Sequence, residues 1–336
     1  MCAGTAEGAG AAQYYFDSVI KCCTYIPELP NFLVGRILSD NDPGAEAGRA
    51  TVIKRIADRV GVTPMGLAQP AVFSLLYHGS EQSFGRSRTL RCPHYIDEGG
   101  RCGIWRHRDA TCATWFCKHV RGNLGYAFWR ESLHRLLSAI ESDLARWCFL
   151  EMHPSNELLE QLIGTAAWTS STEKVTGESL NNTVNPETYA RLWGEWRGRE
   201  TEFFHGCANL VSRLSWTDVL AISGPGAKAY ARLTKQAYQR LISSDLPPAL
   251  KVGSMQLVQI QHGVTRINTY SSYDPLDVPQ VVMELLPYFD GRATEVALSS
   301  IEEERGVRLD LDLICKMVDF GLLVPAAKTQ PPSPAP

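Results

Sequence analysis

From Tyr126 to Glu151, apolar side chains recur at Trp129, Leu133, Leu136, Leu137, Ile140, Leu144, Trp147 and Cys148. Steps of three and four put them on one face, which predicts a long amphipathic helix. The same periodicity predicts helices over about 45–59, 187–204 and 226–243, and three shorter ones at about 278–288, 293–305 and 310–319. Between 255 and 270 the pattern alternates, with Leu257, Val258 and Ile260 before Gly263, then Val264, Ile267 and Tyr270. That reads as a β-hairpin. A last extended piece is expected at Leu322–Pro325. In residues 14 to 38, Pro27 and Pro30 predict an extended middle, because proline lacks the amide proton and restrains the residue before it. Asp42-Pro43-Gly44 is a turn, and Ser223-Gly224-Pro225-Gly226 is a break between helices.

Residues 92–121 do not fit either period. Pro93, Gly99, Gly100 and Gly103 punctuate them, and they read as loops. They also hold four of the ten cysteines, spaced Cys92-x9-Cys102-x9-Cys112-x4-Cys117, with the adjacent pair Cys22-Cys23 far upstream. The first 13 residues lack the basic and apolar regions of a secretory signal, so the expected compartment is the reducing cytoplasm, where disulfides are rare. Clustered thiols there point to metal or redox chemistry. Soft sulfur donors suit zinc and iron–sulfur clusters, and spacers this long require separate loops to converge. Cys148 and Cys315 lie on apolar helix faces and are expected to be buried core thiols.

The motifs Cys22-Cys23, Cys92-Pro93-His94-Tyr95, Cys102-Gly103-Ile104-Trp105-Arg106-His107-Arg108-Asp109-Ala110-Thr111-Cys112 and the following Cys117 resemble the bacterial zinc- or iron-chelating cysteine-cluster proteins. The likeness covers about residues 14–122. It implies metal chelation with Cys22, Cys23, Cys92, Cys102, Cys112 and Cys117 as ligands to an iron–sulfur cluster or zinc. Two departures stand out. Phe16 and Val19 occupy the places of an upstream cysteine pair, and Asp109 replaces the usual proline after Arg108.

Other residues have weaker claims. His94, His107 and His119 are candidate nitrogen ligands set among basic residues. Trp105, Trp115 and Phe116 would form an apolar shell or fill local core. Glu202 and His205 share a helix face at i, i+3. No Gly-rich nucleotide turn and no serine triad can be read, so the sequence leaves open whether a reaction is catalysed.

Tyr273-Asp274-Pro275-Leu276, Phe289-Asp290-Gly291-Arg292-Ala293-Thr294 and Asp319-Phe320-Gly321-Leu322-Leu323 resemble a winged-helix module, a type used in peptide recognition and in DNA binding. Residues 273–325 carry eleven acidic and four basic side chains, the wrong sign for a phosphate backbone. A protein or peptide partner is expected through this acidic module, and not nucleic acid. The whole chain has a net charge of −3, and no apolar run is long enough to span a bilayer.

These readings make the 336-residue chain mainly α with small β elements (α+β), and apolar residues at 44% suffice for a sizeable core. The expected organisation is a flexible N-terminus at 1–13, a cysteine-cluster metal-binding domain with its long helix at 14–164, a helical middle region at 165–250, a β-hairpin plus winged-helix-like module at 251–326, and a disordered tail at 327–336. The expected function is cysteine-ligated metal binding, serving redox chemistry or the modification of a protein or peptide. The alternative is a non-enzymatic, zinc-stabilised interaction module.

Overall fold

The computed structural model describes residues 16–79, 83–152, 154–156, 158–159 and 184–326. The expected N-terminal arm, the tail and most of the polar stretch at 165–186 lie outside the described residues. The chain is mainly helical with small antiparallel sheets, and it divides into two compact units. Of the described residues, those in 16–115 and 133–232 make up one, and those in 116–132 and 233–326 the other.

In the first unit a helix at Asn31–Ser39 starts directly after Pro30. The backbone at the prolines is extended as expected, Leu29–Pro30 being a short strand, and Pro30 also serves as the N-cap of the helix, which its fixed φ allows. Asn31 is fully buried. Its amide donates to the carbonyls of Pro64 at 3.0 Å and Ala145 at 2.9 Å, and its Oδ1 accepts from the Phe32 N–H at 2.8 Å. Gly35 lets this helix cross the Glu200–Ser212 helix closely: a Cβ there would sit 1.9 Å from the Phe204 carbonyl oxygen. Around that crossing lies the main core, with Val34, Ile37, Val52, Leu144, Phe149, Trp193, Phe203 and Phe204. Trp193 is fully buried and meets Phe203 and Phe204 edge-on, with ring centroids at 5.5 and 5.7 Å.

The helix expected over 187–204 is two helices, Pro186–Trp193 and Glu200–Ser212. Gly194 and Gly198 separate them with positive φ, a conformation that ends a helix at little cost only for glycine. Both helices, with Trp216–Ile222 after them, belong to the cysteine-bearing unit, whereas the pattern alone sets 165–250 apart. Trp216–Ile222 opens on a capping box between Ser215 and Asp218. The long helix runs as α-helix over His134–Glu151 and is π-helical over Ala127–Leu133.

In the second unit the hairpin Gln256–Gln261/Val264–Asn268 forms as expected and is joined by Leu276–Pro279. A second sheet pairs Ala249–Val252 with Asp290–Ala293 on one side and Leu323–Pro325 on the other, all antiparallel. Helices at Gln280–Leu285, Thr294–Arg305 and Leu311–Asp319 bury Leu285, Ala297, Ile301 and Ile314 against Leu250, Ile267 and Phe289. Arg121 grips Asp319 bidentately, Nη2 donating to Oδ1 at 2.7 Å and Nε to Oδ2 at 3.0 Å. Among the described residues no helix is long and apolar enough to cross a membrane.

Candidate metal centre

Short backbone ties collect five of the six expected cysteines within the first unit. Residues 17–23 form tight turns, with Lys21 at φ 50°. The Cys23 carbonyl then accepts the Cys92 N–H at 2.8 Å. A turn from Cys92 to Tyr95 leads into a two-stranded ribbon in which Tyr95 pairs with Cys102. Gly99 and Gly100, both with positive φ, make the ribbon's turn. The Gly103 N–H donates to the His94 carbonyl at 2.8 Å, and the Tyr95 hydroxyl donates to the Val19 carbonyl. Asp109 then caps the helix Ala110–Thr114 by accepting the Cys112 N–H at 3.0 Å. Asp109 therefore starts the turn that carries Cys112.

The helix Glu46–Ala57 backs this loop system. A Cβ on Gly48 would sit 2.0 Å from the Gly103 carbonyl oxygen, so the helix touches the segment after Cys102 backbone to backbone.

The thiols lie close enough to act on one another. Cys23 feels the charges of Cys22, Cys92 and Cys102, and Cys112 feels those of Cys92 and Cys102. Cys22 is pulled down to about 7, chiefly by the hydrogen bond it accepts from the Cys23 thiol, and Cys23 is pushed up by the same bond and by burial. Burial pushes Cys92 up to about 12 and raises Cys102. Cys112 is raised first by burial, then by the Asp109 charge and by donating its S–H to that carboxylate.

Sequence reading missed the carboxylates grouped around Asp109. Asp109 is buried, and its own pKa is raised by desolvation. Glu141 accepts the Ala110 N–H at 3.1 Å and is lifted to about 8, mainly by burial and further by Asp109. Glu28 is raised by desolvation and by Asp109. The helical period alone puts Glu141 on the polar side of its helix. Such a carboxylate gives no signal of its own, because its partner is the first residue of a short helix 31 residues away.

The histidines separate clearly. His107 pairs with Asp40 at 2.9 Å. His119 belongs to the second unit, where it lies against Tyr126 and Tyr270. His94 is 1% exposed, is pushed down to about 3 by burial and by Arg55, and meets Thr51 Oγ1 through Nδ1 at 2.7 Å. The Glu202/His205 pair is not a joint site: Glu202 holds Arg199 at 2.8 Å, and His205 meets Ser39 at 2.8 Å.

Among the aromatics, Trp105 is 63% exposed with Arg108 stacked 3.4 Å above its ring, so it does not wall off the sulfurs. Trp115 meets Phe84 edge-on. Cys117 is buried and falls in the second unit with Phe116–Ser132. Cys148 is a core thiol, as expected, and its S–H points at the Cys207 carbonyl at 3.7 Å. Cys315 is half-buried, because it sits at the edge of its helix's apolar face between buried Ile314 and Met317.

The donor chemistry fits a thiophilic metal: five sulfurs with carboxylate oxygen alongside. Among the described residues, no group of three or more His, Cys, Asp and Glu side chains is already arranged to close on an ion. Family models, curated proteins and solved structures contain no match to this chain.

Proposed function

We propose that the protein binds a metal through its cysteine cluster, as an iron–sulfur centre or as zinc, with the five cysteines of the first unit, Cys22, Cys23, Cys92, Cys102 and Cys112, as the candidate ligands. The observation that carries this reading is the convergence of five thiols from three stretches of chain, held by the Cys92–Cys23 backbone bond and the Tyr95–Cys102 pairing. Core packing alone would not require sulfur at these places, several of which are only half-buried. Ligation requires each thiol to lose its proton. Asp109, whose carboxylate accepts the Cys112 N–H at 3.0 Å and raises the pKa of that thiol, is the group placed to receive its proton.

The bound metal would serve redox chemistry or the modification of a protein or peptide in the cytoplasm. In this proposal the second unit acts as a winged-helix-like module whose acidic residues contact a protein or peptide partner, because eleven acidic side chains against four basic ones repel nucleic acid.

The test is elemental analysis with an absorption spectrum on protein purified without oxygen. A brown protein with a broad visible band and bound iron and sulfide supports the redox form. Colourless protein with stoichiometric zinc supports the zinc-stabilised interaction form. Protein that retains neither metal, even after reconstitution with ferrous iron and sulfide or with zinc, overturns the proposal.

A further inference from the structure

Two clefts in the second unit adjoin at Ser254 and Thr269. The first, of about 390 Å³, is lined by Gly253 and Gly321, which offer only backbone, and by Lys251, Asn123 and Ser254. The second, of about 350 Å³, lies at the open end of the hairpin, where Gln256 pairs with Asn268. Their walls are tied together. The Gly253 N–H donates to the Leu322 carbonyl at 2.8 Å, and the Thr269 hydroxyl donates to the Phe320 carbonyl at 2.6 Å. A Cβ on Gly253 would sit 2.1 Å from the Gly321 carbonyl oxygen, and one on Gly321 would sit 3.1 Å from the Asn123 amide nitrogen. These contacts fix the spacing between the strand Ala249–Val252, the hairpin and the turn at 319–321.

Residues 273–325 carry eleven acidic side chains against four basic ones, yet no carboxylate lines either cleft. The one charged side chain in the two linings is Lys251. Asp290 stands opposite Lys251 in the antiparallel ladder. Opposite residues share a face of the sheet, so this acid is the natural partner for the lysine. Arg292 takes it instead, donating to one Asp290 oxygen from Nε at 2.9 Å and to the other from Nη2 at 2.6 Å. Among the described residues Lys251 has no ion pair. The unit therefore holds one free cation at an acid-free cleft and keeps the nearest carboxylate occupied.

We infer that this cleft binds the carboxylate of a small polar ligand, an amino acid or the C-terminal end of a peptide. Lys251 supplies the counter-charge, and the Asn123 amide and Ser254 hydroxyl supply further donors. One ammonium balances one carboxylate, whereas a phosphate group brings close to two charges. The second cleft adds the amides of Gln256 and Asn268 and the hydroxyl of Ser272, with no charge. Uncharged donors and acceptors of this kind match the amide groups next to a chain end. The inference is independent of the metal-binding reading.

The experiment titrates isotope-labelled full-length protein with N-acetyl-alanyl-alanine, with the same dipeptide capped as its C-terminal amide, and with L-alanine, following backbone amide shifts. The free-acid dipeptide or L-alanine is expected to bind, and the capped form to bind at least about tenfold more weakly, as is usual when a charge-assisted hydrogen bond is lost. Tighter binding of the dipeptide identifies a chain end as the ligand; tighter binding of L-alanine identifies a free amino acid. Lys251→Met should weaken binding by about tenfold or more. Arg292→Met lies outside both linings but frees Asp290 to pair with Lys251, and should weaken binding by about twofold to fivefold, the worth of an exposed ion pair. Adding Asp290→Asn to that variant should restore wild-type affinity. Equal binding of the free-acid and capped dipeptides, or wild-type affinity in Lys251→Met, would overturn the inference. No saturable binding of either L-alanine or the free-acid dipeptide would also overturn it. If Lys251→Met does not fold, Arg292→Met decides: weaker binding that Asp290→Asn reverses upholds the inference, and unchanged affinity sinks it.

Discussion

The backbone N–H of Cys92 donates to the carbonyl of Cys23 at 2.8 Å, joining residues 69 positions apart. That bond closes the loop system on which the candidate centre depends. The pair Cys22-Cys23, isolated in the sequence, thereby becomes part of the same site as Cys92, Cys102 and Cys112.

Serine in place of Cys102 or Cys112 should remove most of the bound metal, because a hydroxyl is a poor match for a soft ion. Serine in place of Cys148 or Cys315 should leave metal content unchanged, since the first lies in the core and the second on a helix of the other unit. Elemental analysis of the four variants, each confirmed folded, checks this. Equal loss from all of them would contradict the ligand assignment.

Alanine at Gly48 should push the Glu46–Ala57 helix away from Gly103, because the added methyl would lie 2.0 Å from a carbonyl oxygen. Both contact points are backbone and cannot swing aside. A loss of about 1–3 kcal/mol is expected in urea unfolding, together with weakened metal retention through displacement of Cys102. Stability equal to wild type would show that the two backbones are not pressed together.

The metal-free protein should lose stability as pH rises from about 4.5 to about 8. The Glu141 pKa is raised to about 8 in the folded chain, mainly by burial, so the folded chain keeps a proton that the unfolded chain releases. Its contribution is complete at acid pH and is lost as pH climbs through the folded value. Urea midpoints for wild type and Glu141→Gln are to be compared across this window. A flatter profile in the variant is the expected result; identical slopes would show that Glu141 is not responsible.

Trp193→Ala should cost about 3–5 kcal/mol, as is usual when a large aromatic site is emptied. Tyr189, Phe203 and Phe204 surround the indole and cannot close the space without breaking their own ring contacts. Thermal melting of the variant provides the measurement, and a shift of only a degree or two would place Trp193 outside the main core.

Much of the helical content was legible from spacing. The stripe from Leu136 to Cys148 and the hairpin about Gly263 depend on contacts between near neighbours, and their period is written along the chain. The helix at Asn31–Ser39 was not legible. Its residues are buried on nearly every side, from Asn31 through Leu38, so no polar face marked a period. The cysteines as a group could be read from their excess, but the carboxylates at 109 and 141 could not. Acidic residues are common on helices and in loops, and only the fold shows that desolvation raises these two.

The sequence by itself determined that this chain is largely helical, that it carries a concentration of thiols, and that its C-terminal portion is acidic. Those properties follow from residue type and short-range periodicity. Only the tertiary structure decided which thiols stand together, that Cys117 falls in a different unit from the other five, and that Asp109 is buried at the start of the turn that carries Cys112. The reason is that proximity and desolvation arise from contacts between distant segments, and local sequence holds no record of which segments will meet.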